Sequence, residues 1–287
     1  MTKLLLARGD TVAGLARSPT SFEKVRKAGA RAIEGVWTEL DLLRAEAAKA
    51  DAVIHCAFRH EEMATEYQRI CEEDRAAIKV MAEGLESNER GEKQKTLIYI
   101  SGTLSTTGPD EDDPKAVNDA LPRHLSEKVT FEAQSPKLRT LVVRLAPIVH
   151  DEDYLHDFLV QMIVAAKKYG YSGYLDAGNR WPSAHYDDVA ELCILALDKA
   201  PSGKALHAVT EEGISTKEHA EWIGEELGVP IKTVPKGQAL SHFGFVGFLL
   251  GLDNYTTNKK TKVWTGWEPK GATLFEDMRK RGIPEFK

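Results

Sequence analysis

Ala52-Val53-Ile54-His55-Cys56-Ala57 (AVIHCA, residues 52–57) is a continuous apolar run of the kind a strand shows when both faces of its sheet are covered. Working outward, Thr38 is placed to cap a helix over Glu39 to Lys49, whose alanine and leucine content favours that state. From Met63 to Leu85 the apolar positions Tyr67, Ile70, Cys71, Ala77, Ile78, Met81 and Leu85 recur at helical spacing and predict a long amphipathic helix. Thr96 to Ser101 (TLIYIS) and Leu141 to Leu145 are further buried-strand patterns, with a helix over 122–133 between them and an acidic loop at 109–114. Strands alternating with helices predict an α/β fold built on a parallel sheet.

The same alternation extends towards both ends. Lys3 to Gly9 reads as the end of a helix and Thr11 to Ala16 as a strand. Thr20-Ser21-Phe22-Glu23 reads as a capping box opening a helix that stops at Gly29, and Arg31 to Ile33 as a brief strand. Beyond Pro147 the pattern predicts a helix over 154–169, a strand over 171–175, a turn at 179–182 and a helix over 189–197 introduced by Asp187-Asp188. Ser215-Thr216-Lys217-Glu218 is a second capping box, for a helix ending at Gly228.

Composition narrows the function classes. The 287 residues are 42% hydrophobic and 29% charged, ordinary for a globular protein, and a net charge of −6 opposes broad affinity for phosphate backbones. Nucleic acid is therefore not an expected partner. The longest apolar stretch, 243–252, falls short of the ~20 residues a membrane span needs and reads as core of a smaller lobe. Cys56, Cys71 and Cys193 are scattered without metal-ligand or disulfide spacing, so no metal is assigned and a reducing, cytoplasmic setting is expected.

Six segments, taken in order, resemble the extended or atypical short-chain dehydrogenase/reductase superfamily in its NAD-dependent epimerase/dehydratase branch. They are VAGLARS (12–18), ADAVIHCAF (50–58), LIYISGTLSTTG (97–108), TLVVRLAPIVH (140–150), SAHYDDVAELCILAL (183–197) and TKVWTGWEP (261–269). The resemblance implies a Rossmann-like doubly wound parallel sheet with a small C-terminal substrate lobe. It assigns 1–150 to an NAD(P)-binding core and 151–287 mainly to the lobe, with 183–210 returning to the core. It also implies that Lys3 to Gly9 is the stump of a first helix. Roughly fifteen residues ahead of it, carrying a first strand and the glycine-rich phosphate turn, would then be absent. An incomplete gene model or alternative start is the favoured explanation, ahead of a chain that repacks the slot. Without that strand, the strands at 11–16 and 52–57 would flank a vacancy with unpaired amides and carbonyls.

The resemblance carries over site residues one by one. Arg17 and Ser18, following the strand at 11–16, correspond to the position that meets the adenosine ribose; an arginine there suits the 2′-phosphate of NADP, with NAD as the alternative cofactor. Ala57, Phe58 and Pro147 would line the rest of the dinucleotide. Thr103, with Ser101 beside it, matches the Ser/Thr that binds the substrate oxygen. The Tyr-x-x-x-Lys of active relatives is missing: one register puts Arg123 and Glu127 there, the next His124 and Lys128. Either Arg123 or His124 replaces the acid, or the helix does no catalysis. His150, Asn179, Arg180, Trp181 and His185 fall on the substrate side, where Asn179 to Trp181 could form a donor fork or a staple between lobe and core. The expected activity is hydride transfer to or from a small carbonyl or alcohol. The alternatives are a non-catalytic dinucleotide sensor or scaffold and an inactive fragment. Helices 63–85 and 122–133 could form a homodimer face.

Overall fold

A computed structural model of the chain describes residues 1–91, 93–112, 118, 121–153, 155–175 and 178–283. The first half runs α1 (Thr2–Ala7), β1 (Ala13–Ala16), α2 (Pro19–Lys27), β2 (Arg31–Glu34), α3 (Leu40–Ala47), β3 (Ala52–His55), α4 (Met63–Glu86), β4 (Lys95–Gly102), α5 (His124–Glu132) and β5 (Leu138–Leu145). The second half continues with β6 (Ile148–His150), α6 (Asp157–Tyr169), β7 (Ser172–Tyr174), β8 (Arg180–His185), α7 (Tyr186–Lys199), β9 (Lys204–Ala208), β10 (Glu211–Ser215) and α8 (Thr216–Leu227). It closes with β11 (Ile231–Thr233), α9 (Ala239–Phe243), α10 (Phe245–Leu249), α11 (Lys259–Thr265) and α12 (Leu274–Arg281).

The main sheet has the order β3-β4-β5-β9 with every pairing parallel. Alternation along β4 sends Leu97 and Tyr99 to the face packed by α3 and α4, and Ile98 and Ile100 to the face packed by α7 and Trp267. Coverage of both faces is what the apolar strand runs require. β1 pairs only with β2, also in parallel, and no ladder joins β1 to β3 among the described residues.

The β1–β2 unit is held to the main sheet through helices. Leu43 and Ala47 of α3 pack on Ala77 and Met81 of α4 in one apolar cluster. The approach is close: a Cβ on Gly84 would stand 2.4 Å from the Arg44 carbonyl oxygen and 2.8 Å from the Ala47 Cβ. Glycine to alanine in a helix normally gains about 1 kcal/mol. Here the added methyl meets backbone, and overpacking costs about 1–3 kcal/mol. Gly84→Ala is expected to lower the thermal midpoint; a raised midpoint would contradict the close α3–α4 contact.

The lobe is built on a third apolar cluster, in which Leu159 and Ile163 of α6 meet Trp181, Ile223, Phe243 and Val246. Two short sheets frame it, β6-β8-β10 and β7-β11.

Several local expectations shift. The cap of α2 is Ser18, paired with Ser21, and Thr20 lies inside the helix. Pro19 explains this, because its fixed φ suits the first helical position. Residues 180–182 open strand β8 instead of forming a turn, and α7 begins earlier than 189 because the His185 side chain accepts the Asp187 amide. The capping box at Ser215 and the stop at Gly228 form as read from the sequence. Of the helix expected over 154–169, Tyr154 lies outside the described residues, as do 113 and 114 of the acidic loop. Among the described residues, no helix is long and apolar enough to cross a membrane.

Candidate functional site

Two buried polar networks lie at and beside the carboxyl ends of β3, β4 and β5. In the first, β3 contributes His55, α4 Asp74, β4 Tyr99 and the start of α5 Arg123. His55 Nε2 lies 2.8 Å from Asp74 Oδ1, and the Tyr99 hydroxyl donates to Asp74 Oδ2 at 2.6 Å. Arg123 donates through Nε to the Tyr99 oxygen at 3.0 Å and through Nη2 to the Ile100 carbonyl at 2.8 Å. Its guanidinium carbon sits 4.0 Å from the centre of the Phe58 ring, a cation–π contact. Its Nη1 makes no hydrogen bond among the described residues.

Charge explains the order of this chain. Burial alone would raise the Asp74 carboxyl, but the His55 hydrogen bond and charge, then Arg123 and Tyr99, hold it below the ordinary carboxylate value. Burial likewise opposes the Arg123 charge, and Tyr99 and Asp74 outweigh it, holding the guanidinium above its usual pKa. A buried carboxylate and a buried guanidinium are therefore both ionised, bridged by a tyrosine that donates to one and accepts from the other.

The second network belongs to Glu127. Ser101 Oγ donates to Glu127 Oε1 at 2.6 Å, and Arg144 on β5 reaches Glu127 Oε2 through Nε at 3.0 Å and Nη2 at 2.7 Å. Arg144 Nη1 also lies 3.2 Å from His207 Nε2, while His207 Nδ1 contacts the Thr257 carbonyl at 2.9 Å. Burial, then the Arg144 charge, pushes His207 down to about 3. A neutral ring donating through Nδ1 and accepting through Nε2 satisfies both contacts.

The sequence-predicted residues divide between these networks and other places. Arg123 and Phe58 meet in the first network, and Ser101 joins Glu127 in the second. Thr103 is near Ser101 in sequence, but its hydroxyl donates to Asn254 Oδ1 at 2.6 Å and its carbonyl accepts from Asn254 Nδ2 at 3.0 Å. Ala57 follows β3 and Pro147 is buried between β5 and β6. Arg17 and Ser18 follow β1; Arg17 Nη2 holds Glu61 Oε1 at 2.8 Å on the surface, and Ser18 caps α2. His124 and Lys128 do not form a pair: His124 Nδ1 contacts the Leu121 carbonyl at 2.8 Å, and Lys128 is 68% exposed opposite Glu132. On α5, Ser126 and Glu127 are buried, and Lys128, about 100° further round the helix, faces solvent.

The substrate-side residues also resolve into separate roles. Asn179 donates to the Leu250 carbonyl, Arg180 makes a two-pronged pair with Asp253, and the Trp181 indole donates to the Leu252 carbonyl. All three tie the start of β8 and the residue before it to residues 250–253 within the lobe, whose apolar cluster holds both Trp181 and Leu250. His150 Nδ1 lies 2.8 Å from Asp277 on α12, with His185 3.6 Å from the same carboxylate. That pair anchors α12.

Sequence reasoning missed Asp74, Tyr99, Arg144 and Asn254. Asp74 had a legible signal, since it falls on the apolar stripe of α4 between Ile70 and Ile78 at helical spacing, where a lone carboxylate requires partners. Asn254 had none, because its contact with Thr103 spans 151 positions.

No family model matches the sequence. An uncharacterized protein of Schizosaccharomyces pombe is 36% identical over 282 residues, covering 97% of this chain and 93% of its own length. An uncharacterized protein of Saccharomyces cerevisiae is 32% identical over 281 residues, covering 96% of this chain and 92% of its own. The chain belongs to the family of these two fungal proteins. Among solved structures, the dTDP-glucose 4,6-dehydratase of Streptomyces venezuelae with NAD bound superposes with a TM-score of 0.74 at 16% identity, over 98% of this chain and 91% of that one. The UDP-glucose 4-epimerase of Thermotoga maritima gives 0.69 at 16% identity, over 98% and 92%. The chain thus shares the fold of these dehydratase and epimerase structures.

Proposed function

We propose that this protein is an oxidoreductase that uses NADP in preference to NAD and acts on a small carbonyl or alcohol at the carboxyl ends of β3 and β4. The observation that carries the reading is Arg123: a guanidinium held ionised by Asp74 and Tyr99, with Nη1 open, in one of the two registers that the resemblance aligns with the catalytic tyrosine.

The residues present fit two ends of a dinucleotide. Arg17 is 62% exposed and engaged only by the 64%-exposed Glu61. Such surface pairs contribute about 0–1 kcal/mol, so a 2′-phosphate can displace Glu61 readily. Ser18 stands beside it, and Ala57, Phe58 and Pro147 offer the nicotinamide end. For the pyrophosphate there is no counterpart among the described residues: the helices after β1, β3 and β4 start at Ser18, Glu62 and Arg123, without a glycine turn.

The bound dinucleotide would supply the hydride. Arg123 Nη1 would polarise the substrate oxygen and stabilise the negative charge that forms on it. Arginine does not give up its proton. The hydrogens of Ser101 and Thr103 are engaged by Glu127 and Asn254, so the proton reaching the product oxygen comes from water. Aldehyde or ketone, hydride and proton together give the alcohol.

The test is NADPH oxidation by the purified protein with a panel of aldehydes and ketones. Turnover that falls at least tenfold in Arg123→Leu supports the reading. Tight NADPH binding with no turnover on any member overturns it in favour of a non-catalytic dinucleotide sensor, which the missing Tyr-x-x-x-Lys favours. Arg17→Ala is expected to raise the KM for NADPH about tenfold while leaving that for NADH unchanged, since a charge-assisted hydrogen bond contributes about 1.5–3 kcal/mol. Equal effects on both cofactors would remove Arg17 from the 2′-phosphate site.

A further inference from the structure

A cleft of about 210 Å³ opens between the core and the lobe, where His60 and Glu61, just ahead of α4, face His156 and Phe158 of α6 and Phe245 of α10. Its walls are aromatic. The His60 ring lies 5.3 Å from Phe58 and 6.0 Å from His156, His156 packs on Phe158 at 4.5 Å, and Tyr67 connects Phe58 to Phe245 at 6.3 and 6.2 Å. Phe58 carries Arg123 on its ring, so the cleft adjoins the proposed reaction centre.

Size and charge select the ligand. An apolar cavity of about 150 Å³ holds one benzene ring, whereas drug-sized ligands need about 300–1,000 Å³. The cleft therefore has room for one ring with a short substituent. No lysine or arginine lines it, and the carboxylate of Glu61 does. Arg17 keeps that carboxylate ionised, lowering its pKa chiefly by hydrogen bonding. Desolvation, then the charges of Arg123 and His156, pushes His60 down to about 4, so its ring is neutral at pH 7. An anion in the cleft would meet no cation on its walls and would depend on Arg17, already paired with Glu61, and on Arg123, which is stacked on the Phe58 ring.

We propose that this cleft takes an uncharged single-ring aromatic aldehyde or alcohol, its ring among Phe245, Phe158 and the two imidazoles. This substrate class rests on the oxidoreductase reading above.

Benzaldehyde, benzoate and UDP-glucose are titrated separately into the full chain, following the imidazole carbon-bound protons of His60 and His156 by NMR. Benzaldehyde is expected to shift both signals saturably, benzoate to bind at least tenfold more weakly, and UDP-glucose to leave them unmoved. Glu61→Gln should narrow the benzaldehyde–benzoate gap. Ala64→Phe, at the exposed lip, should weaken benzaldehyde about tenfold without moving the thermal midpoint. Benzoate binding as tightly as benzaldehyde, an unchanged affinity in Ala64→Phe, or UDP-glucose shifting the same signals overturns the proposal. Benzaldehyde binding without NADPH oxidation would defeat the oxidoreductase reading and leave the ligand class standing. NADPH oxidation with acetaldehyde that Ala64→Phe does not impair, in the absence of benzaldehyde binding, would do the reverse.

Discussion

Glu127→Ala is expected to cost about 3–5 kcal/mol of folding stability, a large share of the about 5–15 kcal/mol that holds a domain of ordinary stability. The pair it breaks is buried, with the Arg144 side chain 12% exposed and Glu127 5%. Removing the carboxylate leaves the Arg144 guanidinium with the Glu111 carbonyl and the His207 ring, and the Ser101 hydroxyl with only the Ser105 oxygen at 3.3 Å. Neither supplies a counter-charge. Urea unfolding reads the loss as a shift of the midpoint at unchanged slope. Glu127→Lys should be worse, because it sets an ammonium against Arg144 in a low-dielectric site. A variant within 1 kcal/mol of the parent would mean the pair is replaceable by neighbouring groups.

Asp74→Ala carries the second large effect, again about 3–5 kcal/mol, because it strips the His55 ring and Tyr99 hydroxyl of their acceptor and Arg123 of its nearest anion. This loss should depend on pH. The Asp74 pKa is lower in the folded chain than the unfolded value of about 3.9. Its ionisation therefore stabilises the fold fully above that value, and the contribution is lost as pH falls through the native pKa. The stability gap between parent and Asp74→Ala should be widest near neutrality and narrow below about pH 4. A gap that widens on acidification would show that the carboxyl is protonated in the folded state.

The alternation of apolar strands and amphipathic helices was legible because it rests on local periodicity: β3, β4 and β5 appear where AVIHCA, TLIYIS and LVVRL predict them. The capping box at Ser215 is equally local. What failed was competition between neighbouring local signals, as when Ser18 and Pro19 prevail over Thr20, or when Arg180 and Trp181 are drawn into pairing with β10. The site was legible only where one residue type stands out. Arg123 could be found as the occupant of a missing tyrosine's place, but its meaning depends on Asp74, 49 positions away, and on Tyr99 hidden inside an apolar strand. Choosing between His124 with Lys128 and Arg123 with Glu127 required knowing which face of α5 is buried, and the mixed charges of that helix leave its apolar stripe too weak to decide.

The most direct test of the central claim, that the carboxyl edge of this sheet is a dinucleotide site selective for the 2′-phosphate, is calorimetric titration of the purified chain with NADPH and with NADH. The account predicts saturable binding of NADPH at least tenfold tighter than NADH, with the difference abolished in Arg17→Ala. Absence of heat with both dinucleotides, from protein shown to be folded by cooperative urea unfolding, would contradict it.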